Sequence, residues 1–169
     1  MLHTQPEEYL DLVNENDEVI GRKLRSEIYK EGLLNFRVVH VFIVNSKGLL
    51  WIPRRTAHKS LFPLGLDYSA AGHVESGETY DQTFVREVQE ELNIDVSTVP
   101  YRTLGMLTPK DGVKVFEKVY EIQSDEAPSY NADDFCESYW LTPQEVVTMI
   151  ENGEVAKDDL AFVIKQFYM

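Results

Sequence analysis

The alternation of apolar and polar residues predicts β-strands in the first third of the chain. Residues 37–44, RVVHVFIV, are apolar on both faces, which is typical of a central strand covered on both sides. Residues 48–55, GLLWIPRR, follow a short polar turn and predict a neighbouring strand. Upstream, two short apolar runs around an Asn/Asp turn predict a hairpin at about residues 8–23, followed by a helical turn that ends at Gly32.

A helical pattern begins at Thr79, which together with Gln82 fits a capping box. The apolar positions continue at helical spacing to Leu92. Asn93 follows directly, and asparagine tolerates the left-handed backbone that ends many helices. The sequence therefore predicts a helix over residues 79–92.

The remaining segments predict a mixture of strands, loops and helices. Residues 58–72 contain Pro63, Gly65 and Gly72 and are predicted to be irregular. Strands are predicted near 101–107 and 113–123, a helix from Thr142, and an amphipathic helix over 158–168. Strands that alternate with helices predict an α/β (α+β) fold with a mixed sheet between helices.

Length and charge narrow the class of protein. The 169 residues fit one domain over 1–169. The net charge of −13 argues against binding to a nucleic-acid polymer or to an anionic membrane. No apolar stretch is long enough to span a bilayer, and MLHTQPEEYL lacks the pattern of a signal peptide, so a cytoplasmic location is expected. Cys136, the single cysteine, is expected to be a small buried residue.

Carboxylates crowd one side of the predicted helix. On a helical wheel, Glu87, Glu90 and Glu91 lie beside the apolar stripe, with Arg86 among them. Like charges one turn apart repel each other, so a solvated acidic face is one interpretation. The other is a cation site, because hard oxygen ligands in a tight group suit Mg²⁺ or Mn²⁺.

The spacing around this helix favours the cation site. Gly72, five residues, Glu78, seven residues and then REVQEELNI from Arg86 resembles the Nudix box. Every position of the box matches except its second glycine, which is Asn93 here. The resemblance implies the Nudix α/β/α sandwich and a pyrophosphohydrolase that cleaves phosphoanhydride bonds with Mg²⁺, for which Mn²⁺ can substitute.

The resemblance also implies roles for individual residues. Arg86 and Glu78 are expected to brace the loop and the helix, and with Glu87 they make up the catalytic group. The general base is either Glu87 or an acid of a later loop. The implied metal ligands are Glu87, Glu90, Glu91 and the backbone carbonyl of Gly72. The candidate loop acids, for which an ordinary polar loop is the favoured interpretation, are Asp133, Asp134 and Glu137.

A second resemblance concerns the branch of the family. IPRRTAHKSLFPLGLDYSAAGH is similar to isopentenyl-diphosphate isomerases and their hydrolase relatives. The isomerases carry a catalytic cysteine before the glycine-histidine pair, where this chain has Ala71, and a metal-site histidine that is matched here by about Arg37. An alanine cannot shuttle a proton, so hydrolysis is favoured. The alternatives are an isomerase-like enzyme and a catalytically silent nucleotide-binding module. The complete set of glutamates argues against the silent module.

The densest basic patch predicts the phosphate-binding side of the site. Arg54 and Arg55 point to opposite faces of a strand, so only one of them can face the substrate. Arg55 and Lys59 are the predicted substrate-binding residues. By family analogy the substrates are nucleoside di- or triphosphates or related diphosphates, bound by a monomer or homodimer.

Several other side chains have two interpretations. His40 lies on an apolar strand, where a core histidine is the favoured interpretation over a ligand. A ligand role for His73 is disfavoured. Phe36, Phe62 and Tyr68 could stack on a nucleobase, but core packing is the default for each of them.

Overall fold

A six-stranded mixed sheet forms the centre of the molecule, and a separate two-stranded hairpin precedes it. The computed structural model describes residues 7–169. Residues 1–6 lie outside the described residues, and they include part of the segment that is expected not to be a signal peptide. The strands are β1 (Tyr9–Val13), β2 (Val19–Leu24), β3 (Arg37–Val44), β4 (Leu50–Arg55), β5 (Ala70–His73), β6 (Tyr101–Leu107), β7 (Phe116–Gln123) and β8 (Phe135–Leu141). The helices are α1 (Arg25–Glu31), α2 (Tyr80–Leu92), α3 (Pro143–Glu151) and α4 (Leu160–Tyr168).

The sheet divides along one edge of its central strand. The strand order is β6-β7-β3-β4-β8, and β5 also pairs with β3. β4 pairs with β3 only at Leu50 and Val44, after which β5 occupies the same edge, antiparallel to β3. The central position of β3 was predicted from its apolar faces and is confirmed. The division of the sheet brings β5 next to α2.

Helices cover both faces of the sheet. One face packs against the apolar side of α2 through β3 residues that include Val39 and Val41. The other face packs against α3 and α4, where Phe42 of β3 contributes. The mixed α/β fold predicted from the sequence is confirmed, since both layers are present and β3 is parallel to β7 but antiparallel to β5.

The predicted limits of α2 are confirmed. The side chain of Thr79 accepts a hydrogen bond from the backbone N–H of Gln82 at 3.1 Å and caps the helix. Asn93 has a φ of 54° and ends it in the left-handed conformation. The N-terminal strands and α1, which ends at Gly32 with a φ of 67°, also follow the predicted pattern.

Three local predictions were wrong. The end of the segment 58–72, predicted to be irregular, is strand β5, because it completes the free edge of β3. β7 begins at Phe116 and not at residue 113. Cys136 is exposed because β8 is an edge strand whose face is uncovered at this position. Among the described residues, no helix is both long enough and apolar enough to cross a membrane.

Candidate active site

Gly72 of β5 and Glu87 of α2 are in direct contact. A Cβ atom on Gly72 would lie 2.1 Å from Oε1 of Glu87 and 2.2 Å from its Cδ. Both distances are shorter than any real carbon contact, so a side chain at this position would have to displace the Glu87 side chain. Pairing with Val39 of β3 fixes the strand, and Phe84 and Val88 anchor the helix in the core. The contact between strand and helix therefore sets the position of the Glu87 carboxylate.

Arg86 joins the loop before α2 to the carboxylates of the helix. Its Nε and Nη2 atoms donate to the two oxygens of Glu78 at 2.9 and 2.8 Å, which is a bidentate pair. Its Nη1 atom donates to Glu87 at 2.8 Å and to Glu90 at 3.4 Å. Nη2 also donates to the carbonyl of His73 at 3.2 Å. One guanidinium thus holds β5, the loop and α2 in a single arrangement.

The environment of Glu78 keeps it ionised for this role. Burial raises its pKa, but hydrogen bonds from Arg86, from the backbone N–H of Glu75 at 3.0 Å and from Thr83 at 3.1 Å outweigh burial. The pKa of Glu78 therefore lies below its ordinary value. Hydrogen bonds to Glu78 in turn raise the pKa of Arg86, so the pair stays charged.

The carboxyl groups of Glu87 and Glu91 lie close enough to share a hydrogen bond. Burial raises the pKa of Glu87 to about 7, although the charge of Arg86 opposes this. Burial, together with the charge of Glu87, raises the pKa of Glu91 well above its ordinary value. The backbone N–H of Ala71 donates to Glu91 at 3.2 Å. Two adjacent buried carboxylates are stable together only with a proton or a cation between them.

Glu90 lies at the edge of this pair and is more open to solvent. Its side chain is 59% exposed and is held by Arg86. It does not complete a tight group with the buried pair. Within residues 7–169, the group of possible ligands whose atoms all lie within 4.8 Å of one another is instead His40, Glu117 and Asp159.

The predicted substrate-binding residues face the same cleft, and both are already paired with carboxylates. Nη1 of Arg55 donates to Asp67 at 2.7 Å. Nζ of Lys59 donates to Asp134 at 2.8 Å. Both cations line the cleft that contains the α2 carboxylates. Arg54 lies elsewhere, as strand alternation predicted, because its Nη1 pairs with a glutamate near α3 at 2.6 Å.

The loop acids considered as general bases occupy different places. Asp133 and Asp134 line the cleft, and Asp134 is paired with Lys59. Glu137 does not contribute to the cleft lining; it lies 3.7 Å from Nε of Arg54 and its carboxylate accepts a hydrogen bond from a tyrosine. The geometry therefore brings only the first two near the carboxylates of α2.

The aromatic candidates are largely part of the packing. The ring of His73 packs against Phe36 at a tilt of 34°, with ring centres 5.5 Å apart, and its Nε2 lies 2.7 Å from the hydroxyl of Tyr29. Burial lowers the pKa of His73 to about 3, so the ring is neutral. Phe36 and Tyr68 are buried, in keeping with the core interpretation, and Phe62 is only partly buried. Phe36 and Phe62 both contribute to the lining of the cleft.

The cleft itself has a volume of about 1200 Å³. It extends from the carboxylates of α2, past Arg55 and Lys59, to Lys157 and Asp159 beside the N-terminus of α4. A space of this size, lined by both carboxylates and cations, can hold a molecule as large as a nucleotide together with ions.

Comparison with known proteins decides the family. The NUDIX domain family matches residues 34–162, which is most of the chain. The chain belongs to the Nudix hydrolase family. It is therefore a hydrolase that acts on phosphoanhydride bonds, as the spacing of the box implied.

Two relatives match this Nudix protein over nearly its whole length. An uncharacterised Nudix hydrolase of Nostoc sp. strain PCC 7120 is 56% identical over 162 residues, which cover 95% of this chain and 96% of the relative. A Nudix hydrolase of Deinococcus radiodurans is 45% identical over 163 residues, which cover 96% of this chain and 95% of the relative.

Solved structures agree with the fold. The crystal structure of DR0079 from Deinococcus radiodurans matches with a TM-score of 0.90 at 44% identity, covering 96% of this chain and 100% of that one. The dihydroneopterin triphosphate pyrophosphohydrolase of E. coli matches with a TM-score of 0.56 at 19% identity, covering 78% of this chain and 93% of that one. This more distant likeness shows the fold alone.

Three residues of the cleft were not predicted from the sequence. Asp67 pairs with Arg55, and Glu117 and Asp159 lie near His40. A signal was present for two of them, because Asp67 interrupts LGLDYSAAG and Glu117 interrupts VFEKVYEI, both of which are otherwise largely apolar. A charged residue inside a buried segment needs a partner, and that partner indicates a site.

Proposed function

We propose that this Nudix protein is a Mg²⁺-dependent pyrophosphohydrolase of nucleoside di- or triphosphates or related diphosphates. The observation that carries the proposal is the Glu87–Glu91 carboxylate pair: Glu87 lies against Gly72 and accepts a hydrogen bond from Arg86, which Glu78 holds in place. The arrangement concentrates negative charge in a cleft where phosphates could enter only with a cation.

The residues present fit a divalent ion. The donor set on α2 consists of carboxylate oxygens, which are the ligands that Mg²⁺ prefers. We propose that Glu87, Glu90 and Glu91 hold the metal together with the carbonyl of Gly72, and that Mn²⁺ can substitute. When bound, such an ion neutralises phosphate charge and lowers the pKa of a coordinated water.

The protein side chains then have separate tasks in one hydrolytic step. The oxygen of water forms a new bond to phosphorus, the bridging P–O bond breaks, and the bridging oxygen leaves with the other phosphoryl group. Glu87 accepts the proton of the water, since it is the buried carboxylate that Gly72 positions. Arg86 and Glu78 do not touch the reacting atoms; they hold Glu87 in position.

Arg55 and Lys59 are proposed to bind the phosphates that do not react. Each cation lines the cleft and has one carboxylate partner, Asp67 or Asp134. An Arg guanidinium has five N–H donors, so pairing with Asp67 leaves donors free for a phosphate oxygen. A partner carboxylate also holds each cation in place before the substrate arrives.

A substrate screen tests the proposal. Nucleoside di- and triphosphates are incubated with the protein and Mg²⁺, Mn²⁺ or EDTA, and phosphate and pyrophosphate release are measured separately. We expect turnover that needs the divalent ion and that is lost in Glu91→Gln. The matched control is Glu126→Gln, which changes an exposed loop glutamate far from α2 in the sequence. Turnover that persists in EDTA would contradict the metal dependence.

A product assay with isopentenyl diphosphate and a nucleotide-binding assay, added to the screen, separate the alternatives. Conversion of isopentenyl diphosphate to its allylic isomer would identify an isomerase-like enzyme, and nucleotide binding without turnover would identify a silent module. Ala71 argues against the first, since its methyl group carries no exchangeable proton. The isomerase-like branch, the single domain over 1–169, the cytoplasmic location and the monomeric or homodimeric state stay predictions.

A further inference from the structure

We propose that His40, Glu117 and Asp159 form a second cation site, for a divalent transition-metal ion such as Zn²⁺, separate from the carboxylates of α2. One ligand atom from each residue lies within 4.8 Å of the other two. The site goes beyond the proposed hydrolysis, because metal binding tests it without any turnover.

The sheet brings two of the three ligands together. β3 and β7 are parallel, and His40 pairs with Val119. Glu117 is two residues before Val119 and therefore projects from the same face of the sheet. Nδ1 of His40 and Oε2 of Glu117 are 3.2 Å apart as a result. Asp159, directly before α4, completes the group from the helix layer.

Two ligand atoms are buried without a hydrogen bond. His40 is 5% exposed and Glu117 is 1% exposed. Although Nδ1 of His40 and Oε2 of Glu117 are close, neither makes a well-formed hydrogen bond with a protein group. A buried polar atom without a partner is costly, and a shared cation would satisfy both atoms at once.

Tyr68 holds two of the ligands in a fixed orientation. The ring of His40 stacks on Tyr68 with centres 3.7 Å apart and planes 10° from parallel. The hydroxyl of Tyr68 donates to Oδ1 of Asp159 at 2.8 Å. Tyr68 thus orients one ligand ring and one ligand carboxylate. In metal sites, residues around the ligands commonly orient them in this way.

The charges of the group are only partly compensated, because Lys157 acts on Asp159 without forming an ion pair with it. Asp159 occupies the N-cap position of α4, yet its side chain makes no capping hydrogen bond. Lys157 lines the same cleft but pairs with Asp67 at 3.6 Å. Among the ion pairs of residues 7–169, Glu117 has His40 as its only partner and Asp159 has none. A metal ion would supply the missing positive charge.

The donor set indicates the class of metal. One imidazole nitrogen with two carboxylate oxygens suits Zn²⁺, Mn²⁺ or Fe²⁺ better than Mg²⁺, which prefers oxygen alone. Ligand atoms around zinc are roughly 3–4 Å apart. A separation of at most 4.8 Å therefore needs only a small inward adjustment of the side chains.

Zinc titration of the full chain tests the site. The background is Glu87→Gln with Glu90→Gln and Glu91→Gln, which removes the three proposed ligand carboxylates of α2, and Zn²⁺ binding is followed by calorimetry. Co²⁺ is titrated in parallel, because its visible absorption reports ligation by nitrogen. We expect the background variant to retain one tight Zn²⁺ per chain. His40→Gln in this background should weaken binding by at least ~10-fold and change the Co²⁺ spectrum.

Two further variants keep the test decisive. Asp159→Asn should weaken Zn²⁺ binding as well, and it serves in place of His40→Gln if that variant does not fold. His58→Gln is the matched control, because it removes an exposed histidine that does not line the cleft. Zinc affinity that is unchanged in every one of the two ligand variants, His40→Gln and Asp159→Asn, that keeps native circular dichroism would overturn the proposal and identify a cluster that only shares protons.

Discussion

The carboxylate of Glu87 occupies the space where any side chain on Gly72 would lie, since an added Cβ would come within 2.1 Å of Oε1. The glycine is thus required by the position of an acid on a different element, and not by its own backbone conformation. Because β5 and α2 are each fixed by the core, this contact couples a sheet edge to a helix face. The coupling makes the site sensitive to very small changes in β5.

Gly72→Ala should therefore displace Glu87 from its position. We expect kcat to fall by about 100-fold or more, since a displaced catalytic group costs at least this much. KM for the nucleotide should change less, because Arg55 and Lys59 are untouched. Steady-state kinetics with the best substrate of the screen measures both constants.

Gly21→Ala is the matched control. Gly21 lies in the exposed strand β2, and a Cβ there would meet nothing within 4 Å. Its kinetics should equal those of the unmodified protein. Normal kcat in Gly72→Ala would show that Glu87 can move without loss, and would remove it from the proposed catalytic group.

Glu90→Gln and Glu91→Gln test the proposed metal ligands. Each replacement removes a charged oxygen, so kcat should fall by about 100-fold or more and the fold should stay intact. Glu91→Gln also removes repulsion from a buried pair, so the metal-free variant should melt no lower than the unmodified protein. The increase in melting temperature on addition of Mg²⁺ should be lost.

Differential scanning calorimetry with and without Mg²⁺ measures this second effect. Near-full turnover in both variants would defeat the metal assignment. Glu126→Gln should behave like the unmodified protein in both assays.

Local signals in the sequence were enough to predict α2 and its carboxylates. The capping hydrogen bond of Thr79 and the left-handed Asn93 depend on residues within one turn. The bracing role implied for Arg86 needs only Glu78 and the helix that follows, and the observed hydrogen bonds join them. Such features are encoded within a short stretch, so pattern and spacing describe them well.

Other parts of the site depend on the pairing of distant segments. β5 consists of alanine, glycine and histidine residues with little intrinsic preference for strands, and it forms because β4 diverges from β3. The proximity of His40 and Glu117 follows from the register of β3 against β7. Cys136 is exposed because the edge strand β8 is uncovered at this position. None of these can be read from a local pattern.

Arg55→Ala tests the proposed binding of substrate phosphates by Arg55. Loss of a charge-assisted hydrogen bond should raise KM by about 10-fold or more, with a smaller effect on kcat. The variant should also be less stable by about 2–4 kcal/mol, because the side chain of Asp67 is only 3% exposed and keeps only the backbone N–H of Tyr68 at 2.7 Å and the more distant Lys157 at 3.6 Å. Kinetics and urea unfolding measure the two effects.

A second variant separates these roles. Arg55→Ala combined with Asp67→Asn removes the uncompensated charge, so stability should recover in part while KM stays high. Arg54→Ala should leave KM unchanged, since Arg54 pairs outside the cleft. An unchanged KM in Arg55→Ala would exclude this residue from substrate binding.

We expect ionisation of Tyr168 to lower the stability of the folded protein in alkali. Burial raises its pKa above the ordinary value, and the hydrogen bond from its hydroxyl to Glu121 at 2.7 Å adds to this effect. The folded protein therefore keeps the phenol protonated at a pH where the unfolded chain, with a pKa of about 10, loses the proton. The stabilisation is fully present below pH ~10 and decreases as the pH rises towards the folded pKa, so Tyr168 should cost about 1.4 kcal/mol by pH ~11.

Urea unfolding at several pH values checks this sign and size. Burial also raises the pKa values of Tyr68, Tyr80 and Tyr120, so the unmodified protein should lose stability steeply above pH ~10. Tyr168→Phe has no phenol to ionise and should show a shallower decline, although it starts from a lower stability because Glu121 loses a hydrogen bond. Tyr101→Phe, at an exposed position, should keep the original slope. Equal slopes in the protein and in Tyr168→Phe would mean that ionisation of Tyr168 is not linked to unfolding.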